Sequence, residues 1–362
     1  MKTPELIYHE RLGVGHYPHA STISREGNVI VPVSGPKPFT LISRDNGATF
    51  EKVDGMKYYM ANGFTQLSDG TFIGFGGNNA VHRYLRDTRQ EKLQFVLCIY
   101  RAKTFDDILD GRIDAEFCIV DIPDLTFGYG DSNNTHSGTV DHGCIQLENG
   151  DIIITMYGQK TTDTTLCPYF DENCGYKFYL YSAWCLISHD GGHTFEYLSS
   201  LADVQTYPIA DVNAEGYCEP DLLDLGGGHI LSVIRTGGHE VYSPIYCTHS
   251  YDNGKTWEAP YEINSWGVLP KLFRLSDGRV VCVSGHIHTF LMFSEDEGRT
   301  WSEPFIVEPC DGKWGNSPSG YCTAFESAEG EITIIYDDPK EGIAEGAEPG
   351  YLRNVYIRKY KV

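Results

Sequence analysis

The chemically capable side chains of this sequence gather at the edges of apolar runs. His16, Tyr17 and His19 precede one such run and Lys37 follows it; Asn62, Asn78 and Asn79 flank a second, and Asp141, His142, Gln159 and Lys160 a third. Glu219 and Arg235 bracket a fourth, Lys271, His286 and His288 a fifth, and Tyr321, Asp337 and Asp338 a sixth. Carboxylates, imidazoles, phenols and cations converging on one place can bind a small polar ligand and move protons. Two imidazole pairs, His286-x-His288 and His16-x-x-His19, have the look of metal fragments. Neither has an evident carboxylate partner, so the expectation is no metal and no cofactor.

Such edge positions meet only if the runs between them repeat in space. Four octads superimpose without gaps: SRDNGATF at 43–50, SHDGGHTF at 188–195, SYDNGKTW at 250–257 and SEDEGRTW at 294–301. Each reads Ser-x-Asp-x-Gly-x-Thr-aromatic, which is a hairpin in chemical form. The Asp side chain bonds the turn backbone, Gly supplies a positive φ, and the aromatic packs between sheets. A second repeat, apolar run, Gly turn, apolar run, recurs six times around Gly27, Gly70, Gly150, Gly228, Gly278 and Gly330. The two repeats together make a four-stranded unit, with strands A and B from the second and C and D joined by the octad. Two intervals exceed the roughly 40–50 residues of a propeller blade, which predicts insertions at 79–95 and 159–180. Blade two has YRAKTFDDILDGR in place of an octad, and no amphipathic helix is expected anywhere. The last blade runs out at LRNVYIRKYKV, so ELIYHERL at the N-terminus should supply its outer strand and close the ring. The expected fold is an all-β, six-bladed propeller of four-stranded antiparallel blades, one domain over 1–362. With A–B turns on one face, the edge residues above collect at the other, around the axis.

The octads resemble the Asp boxes, or BNR repeats, of the sialidase superfamily. The resemblance implies that Asp45, Asp190, Asp252 and Asp296 build turns and do no chemistry. YCEPDLLDLGGGHILSVIRTG resembles the sialidase segment in which a Glu lies sixteen residues before an Arg, which matches Glu219 and Arg235. SGYCTAFESAEGEITIIYDD resembles the strand pair that opens with the nucleophilic Tyr, which places Tyr321 in that role. A Tyr beside a carboxylate that takes its proton becomes a competent nucleophile, and sialidases use one. The implied roles are nucleophile for Tyr321, its proton acceptor for Glu219, and an anion-holding cation for Arg235. Other features depart from the family. GHYPHASTI carries His16 or Tyr17 where one Arg of the family's triad belongs, VSGHIHTFLMFS carries His286 and His288 where another does, and no Asp lies between Gly35 and Ile42 to act as acid. His16, His19, His142, Lys37 and Lys160 offer a substitute cradle, with Gln159, and His142 or Asp141 a substitute acid. The activity so implied is that of an exo-acting glycosidase on a terminal acidic or polar sugar. A uronate lyase working by β-elimination and a non-catalytic sugar-binding propeller are the alternatives.

A net charge of −22 over 362 residues repels polyanions, so neither nucleic acid nor an anionic membrane is an expected partner. No apolar stretch is long enough to span a bilayer and MKTPELIYHERLGVG has no signal-peptide h-region, so a cytoplasmic location is expected. The eleven cysteines include no CxxC and lie mostly in apolar runs, which predicts reduced thiols. Cys167 and Cys174 are the pair to test. Oligomeric state and the identity of the sugar are not legible.

Overall fold

A strand buried on both faces reads as a continuous apolar run, not an alternating one, and Val29–Val33 shows how this builds the molecule. All five of its residues are buried. Val29, Val31 and Val33 pack with Phe325, Ile335 and Val355 on one side, and Ile30 packs with Phe64 and Phe72 on the other. The period-two alternation of side chains therefore addresses two neighbouring sheets at once. Six apolar clusters form in this way, each between a different pair of adjacent sheets.

The computed structural model describes residues 3–35, 37–56, 61–76, 85–86, 93–126, 138–140, 143–160, 180–209, 214–237, 244–310, 318–338 and 353–362. They form six antiparallel sheets, the blades of a six-bladed propeller. In blade one the strands A to D are Thr22–Ile23, Val29–Val33, Phe39–Ser43 and Glu51–Asp54. Blade four consists of Ala214–Gly226, His229–Gly237, Ile245–Ser250 and Tyr261–Asn264, and blade five of Val268–Arg274, Val280–Gly285, Thr289–Ser294 and Phe305–Glu308. Blade six takes Thr323–Ala328, Glu331–Asp338 and Arg353–Lys361 from the C-terminal end of the chain and Glu5–Gly15 from the N-terminal end. Glu5 pairs with Lys361 and Gly15 with Arg353, so the ring closes as expected from the ends of the sequence.

The four octads are the C–D turns. In blade one the Ser43 hydroxyl donates to Asp45 Oδ1 at 2.7 Å, and the Thr49 hydroxyl donates to Asp45 Oδ2 at 2.6 Å. These bonds, Thr49 first, hold the Asp45 carboxyl down at about 2. Gly47 turns with φ +78°, and a Cβ there would lie 2.7 Å from the Phe325 ring of blade six. The octad glycine is thus also the point where one blade leans on its predecessor.

Blade two departs from expectation. Its C and D strands, Leu93–Ala102 and Asp114–Val120, are joined by a helix, Phe105–Asp110. Thr104 caps it by accepting the Asp107 N–H, Gly111 ends it at φ +71°, and Phe105 and Ile108 are buried. Six residues are too few to display a 3.6-residue period, so only the caps in KTFDDILDG announce it. The insertions also shrink: Leu93 to Phe95 already belong to strand C of blade two, and Gln159 and Lys160 end strand B of blade three, Ile152–Lys160. Cys167 and Cys174 lie outside the described residues; the nine described cysteines are all free thiols. Among the described residues no helix is long and apolar enough to cross a membrane.

Candidate active site

The A-strand of blade four carries Glu219 in an unusual conformation. Its register against strand B shifts between Ala214 and Cys218 and again between Cys218 and Asp221, and Glu219 has φ +47°. Bulges of this kind re-aim a side chain. The carboxylate ends buried against blades five and six: Oε1 accepts the Tyr321 hydroxyl at 2.7 Å and Arg235 Nη1 at 2.6 Å, and Oε2 accepts the Leu269 N–H at 2.9 Å. Arg235 Nη1 also lies 3.3 Å from the Tyr321 oxygen. The remaining guanidinium nitrogens turn inward as well, Nε to the Gly237 carbonyl at 2.5 Å and Nη2 toward Glu215 at 3.5 Å.

Burial, then the adjacent Glu219 charge, pushes the Tyr321 phenol well above its ordinary value. At rest the proton therefore stays on Tyr321 and is donated to Glu219. For Arg235, burial works toward deprotonation, but Glu219, Tyr321 and Glu215 outweigh it and hold the guanidinium charged. The trio is a phenol hydrogen-bonded to its base, with a fixed cation that would stabilise the phenolate.

A second buried carboxylate organises the wall beside it. Asp337, at the end of blade-six strand B, accepts from the Ser319 N–H at 2.8 Å and the Ser319 hydroxyl at 2.7 Å. It also takes the Tyr17 N–H at 3.0 Å and His16 Nδ1 at 2.9 Å. Burial alone would raise this carboxyl, but the bond and charge of His16, then Arg353 and Ser319, hold it below the ordinary range. An ionised Asp337 requires the hydrogen on His16 Nδ1. Ser319 Oγ in turn accepts the Tyr321 N–H at 3.2 Å, which ties this wall to the phenol. The Tyr17 and His19 rings stand edge-on to the Tyr321 ring at 4.8 and 5.3 Å. Burial, with Lys271 adding to it, pushes the His19 imidazole down to about 3, so it is neutral.

Below the trio, along the axis, lies a cavity of about 440 Å³ whose lining includes Asn62, Asp221 and Lys271. Asp221 Oδ2 accepts the Leu272 N–H at 2.7 Å, and burial pushes this carboxyl up to about 7.

Of the residues singled out from sequence, Tyr321, Glu219, Arg235, His16, Tyr17, His19 and Asp337 are brought together. Lys271 joins them by donating to the His19 carbonyl. Lys160 is ion-paired to Asp203, Gln159 and Asp338 are buried, and Lys37 is exposed on the blade-one loop. His286 and His288 engage different partners: Nδ1 of His286 contacts the Pro318 carbonyl at 3.4 Å, whereas Nδ1 of His288 accepts the Cys310 N–H at 2.9 Å. Among the described residues no cluster of three metal-binding side chains occurs. Asn78, Asn79, Asp141 and His142 lie outside the described residues. Sequence reasoning missed Ser319, Glu215, Asp221 and Arg353. Arg353 opens strand C of blade six and approaches Asp337 at 3.9 Å; C-strand starts share a face with B-strand ends, a signal that was there to use.

Residues 131–334 match the BNR repeat-like domain family. A search of curated protein sequences returns no significant match. Among solved structures, a protein of unknown function from Dyadobacter fermentans superimposes with a TM-score of 0.63 at 16% identity, over 99% of this chain and 98% of that one. The NanB sialidase of Streptococcus pneumoniae gives 0.56 at 14% identity, over 99% and 70%. An α-L-arabinofuranosidase from Fusarium graminearum, solved with an iminosugar inhibitor, gives 0.55 at 12% identity, over 98% and 97%. At these identities the likeness shows the fold.

Proposed function

The chain belongs to the BNR repeat-like domain family, and from that premise we propose that it is a glycosidase that removes a terminal sugar from an oligosaccharide, with Tyr321 as nucleophile. The observation that carries this reading is the 2.7 Å hydrogen bond from the Tyr321 hydroxyl to Glu219, with Arg235 at 2.6 Å from the same carboxylate oxygen. A glycosidase-like fold, shared with a sialidase and an arabinofuranosidase, supports it.

In the first step Tyr321 Oη bonds to the anomeric carbon, its proton passes to Glu219, and the bond to the leaving oxygen breaks. That oxygen receives a proton, a role that sequence position assigns to His142 or Asp141. In the second step water attacks the anomeric carbon and gives a proton to the residue that lost one in the first step, the bond to Tyr321 breaks, and Glu219 returns the proton to the phenolate. Arg235 stabilises that phenolate through its charge and its contact with the phenol oxygen.

The test is a screen of chromogenic and natural glycosides with Tyr321→Phe and Glu219→Gln as controls. Release of free sugar by the wild type, lost in both variants, is the expected result. Products absorbing in the near ultraviolet would instead report elimination from a uronic acid, and turnover untouched by both substitutions would remove Tyr321 from the chemistry.

A further inference from the structure

The charge inventory of the site says what kind of sugar fits it. Each guanidinium that the described strands bring to the axial mouth is already matched to a carboxylate of the protein. Arg235 pairs with Glu219 at 2.6 Å and faces Glu215 at 3.5 Å. Arg353 approaches Asp337 at 3.9 Å, and the Lys271 ammonium donates to the His19 carbonyl. The imidazoles do not change this balance: His19 is held neutral by burial, and His16 is engaged with Asp337.

We propose that the sugar ring accepted at Tyr321 is neutral, with hydroxyls but no carboxylate. This inference rests on the glycosidase reading above and specifies its substrate class. A sugar carboxylate entering this pocket loses its hydration, which only a well-placed cation returns, best of all a bidentate guanidinium. Arg235 is the one guanidinium in contact with Tyr321 among the described residues, and it could turn to an incoming anion only by leaving Glu219 buried without its partner. The anion would also face Glu215, Glu219 and Asp337. Lys37 stands in solvent, where a single ammonium is hydrated and screened. Sugar hydroxyls suit the same pocket, since they donate to carboxylates and accept from the Lys271 ammonium. The Tyr17, His19 and Tyr321 rings offer an apolar wall for the ring face.

The experiment compares kcat/KM of the wild type, Tyr321→Phe, Glu219→Gln and Glu215→Gln on 4-methylumbelliferyl glycosides. The neutral members are the arabinofuranoside, galactoside, fucoside and rhamnoside; the anionic members are the sialoside and glucuronide. The expected result is turnover of a neutral member at least about a hundredfold above either anionic one, lost in Tyr321→Phe and Glu219→Gln. Glu215→Gln should narrow the gap by giving Arg235 a free edge. A sialoside or glucuronide turned over within tenfold of the best neutral member, and lost in both catalytic variants, overturns the inference and leaves the glycosidase reading standing. No turnover in either class, or turnover that both catalytic variants retain, removes the glycosidase reading and the inference with it.

Discussion

The two ends of this propeller solve opposite problems. At the C–D turns, the Thr hydroxyl meets its Asp at the same 2.6 Å in blades one, three, four and five. At the axial mouth each contributing blade offers something different: a His from blade one, a Glu and an Arg from blade four, a backbone N–H from blade five, a Tyr and an Asp from blade six. A turn has one task in every blade, so a single solution serves throughout. A pocket needs unlike groups aimed at a common point, so a repeated sequence acquires chemistry only where its repeats diverge.

If that division holds, substitutions at the two ends should fail in different ways. The largest effect is expected from Tyr321→Phe, which should lower kcat by about 10³-fold or more while shifting unfolding free energy by only about 1 kcal/mol. Glu219→Gln should cost about 10² to 10⁴ in kcat and, because it disturbs a buried ion pair, should also lower stability in a denaturant titration. Gly298→Ala should do the reverse. Its φ is +91° and the new Cβ would lie 2.7 Å from both methyls of the fully buried Leu231 in blade four. The expected cost is about 3 kcal/mol of stability, with kcat per folded molecule unchanged. A turn variant that stayed folded yet lost kcat would break the comparison.

The same division explains what could be read in advance. Asp boxes and Gly turns are local, so eight adjacent residues carry the whole instruction, and the blades followed from them. Glu219, Arg235 and Tyr321 could be placed because each sits at a strand edge of a countable repeat. Asp337, His16 and Tyr17 reached the candidate ring, but Ser319, which gives Asp337 two of its four hydrogen bonds, did not, because it lies on a loop whose course the strand pattern does not set. Glu215 and Asp221 were missed for a related reason. The register shifts between Ala214 and Asp221 in the A-strand of blade four re-aim its side chains, so period-two counting stops working at the residues that matter.

Two aspartates, one from each end, allow the comparison to be sharpened by pH alone. Asp45, in an octad, is held down at about 2 by Thr49 and its backbone. Its contribution to stability is present above the ordinary carboxylate value of roughly 4 and is lost as pH falls from there through the folded value. Asp221, on the axis, is pushed up to about 7 by burial. Between roughly pH 4 and its folded value the unfolded chain has released this proton and the native protein still holds it, so stability declines as pH rises, and above that window the penalty is constant. Asp45→Asn should therefore be less stable than the wild type at neutral pH, with the gap closing below about pH 4. Asp221→Asn should behave oppositely, level with the wild type near pH 4 and more stable by on the order of 4 kcal/mol at pH 8. Denaturant titrations of the three proteins from pH 3 to 8 measure both slopes. Parallel curves for Asp221→Asn and the wild type would mean that the axial cavity hydrates this carboxylate well enough to ionise it normally, and the axis would then differ from the turns in its residues but not in its polarity.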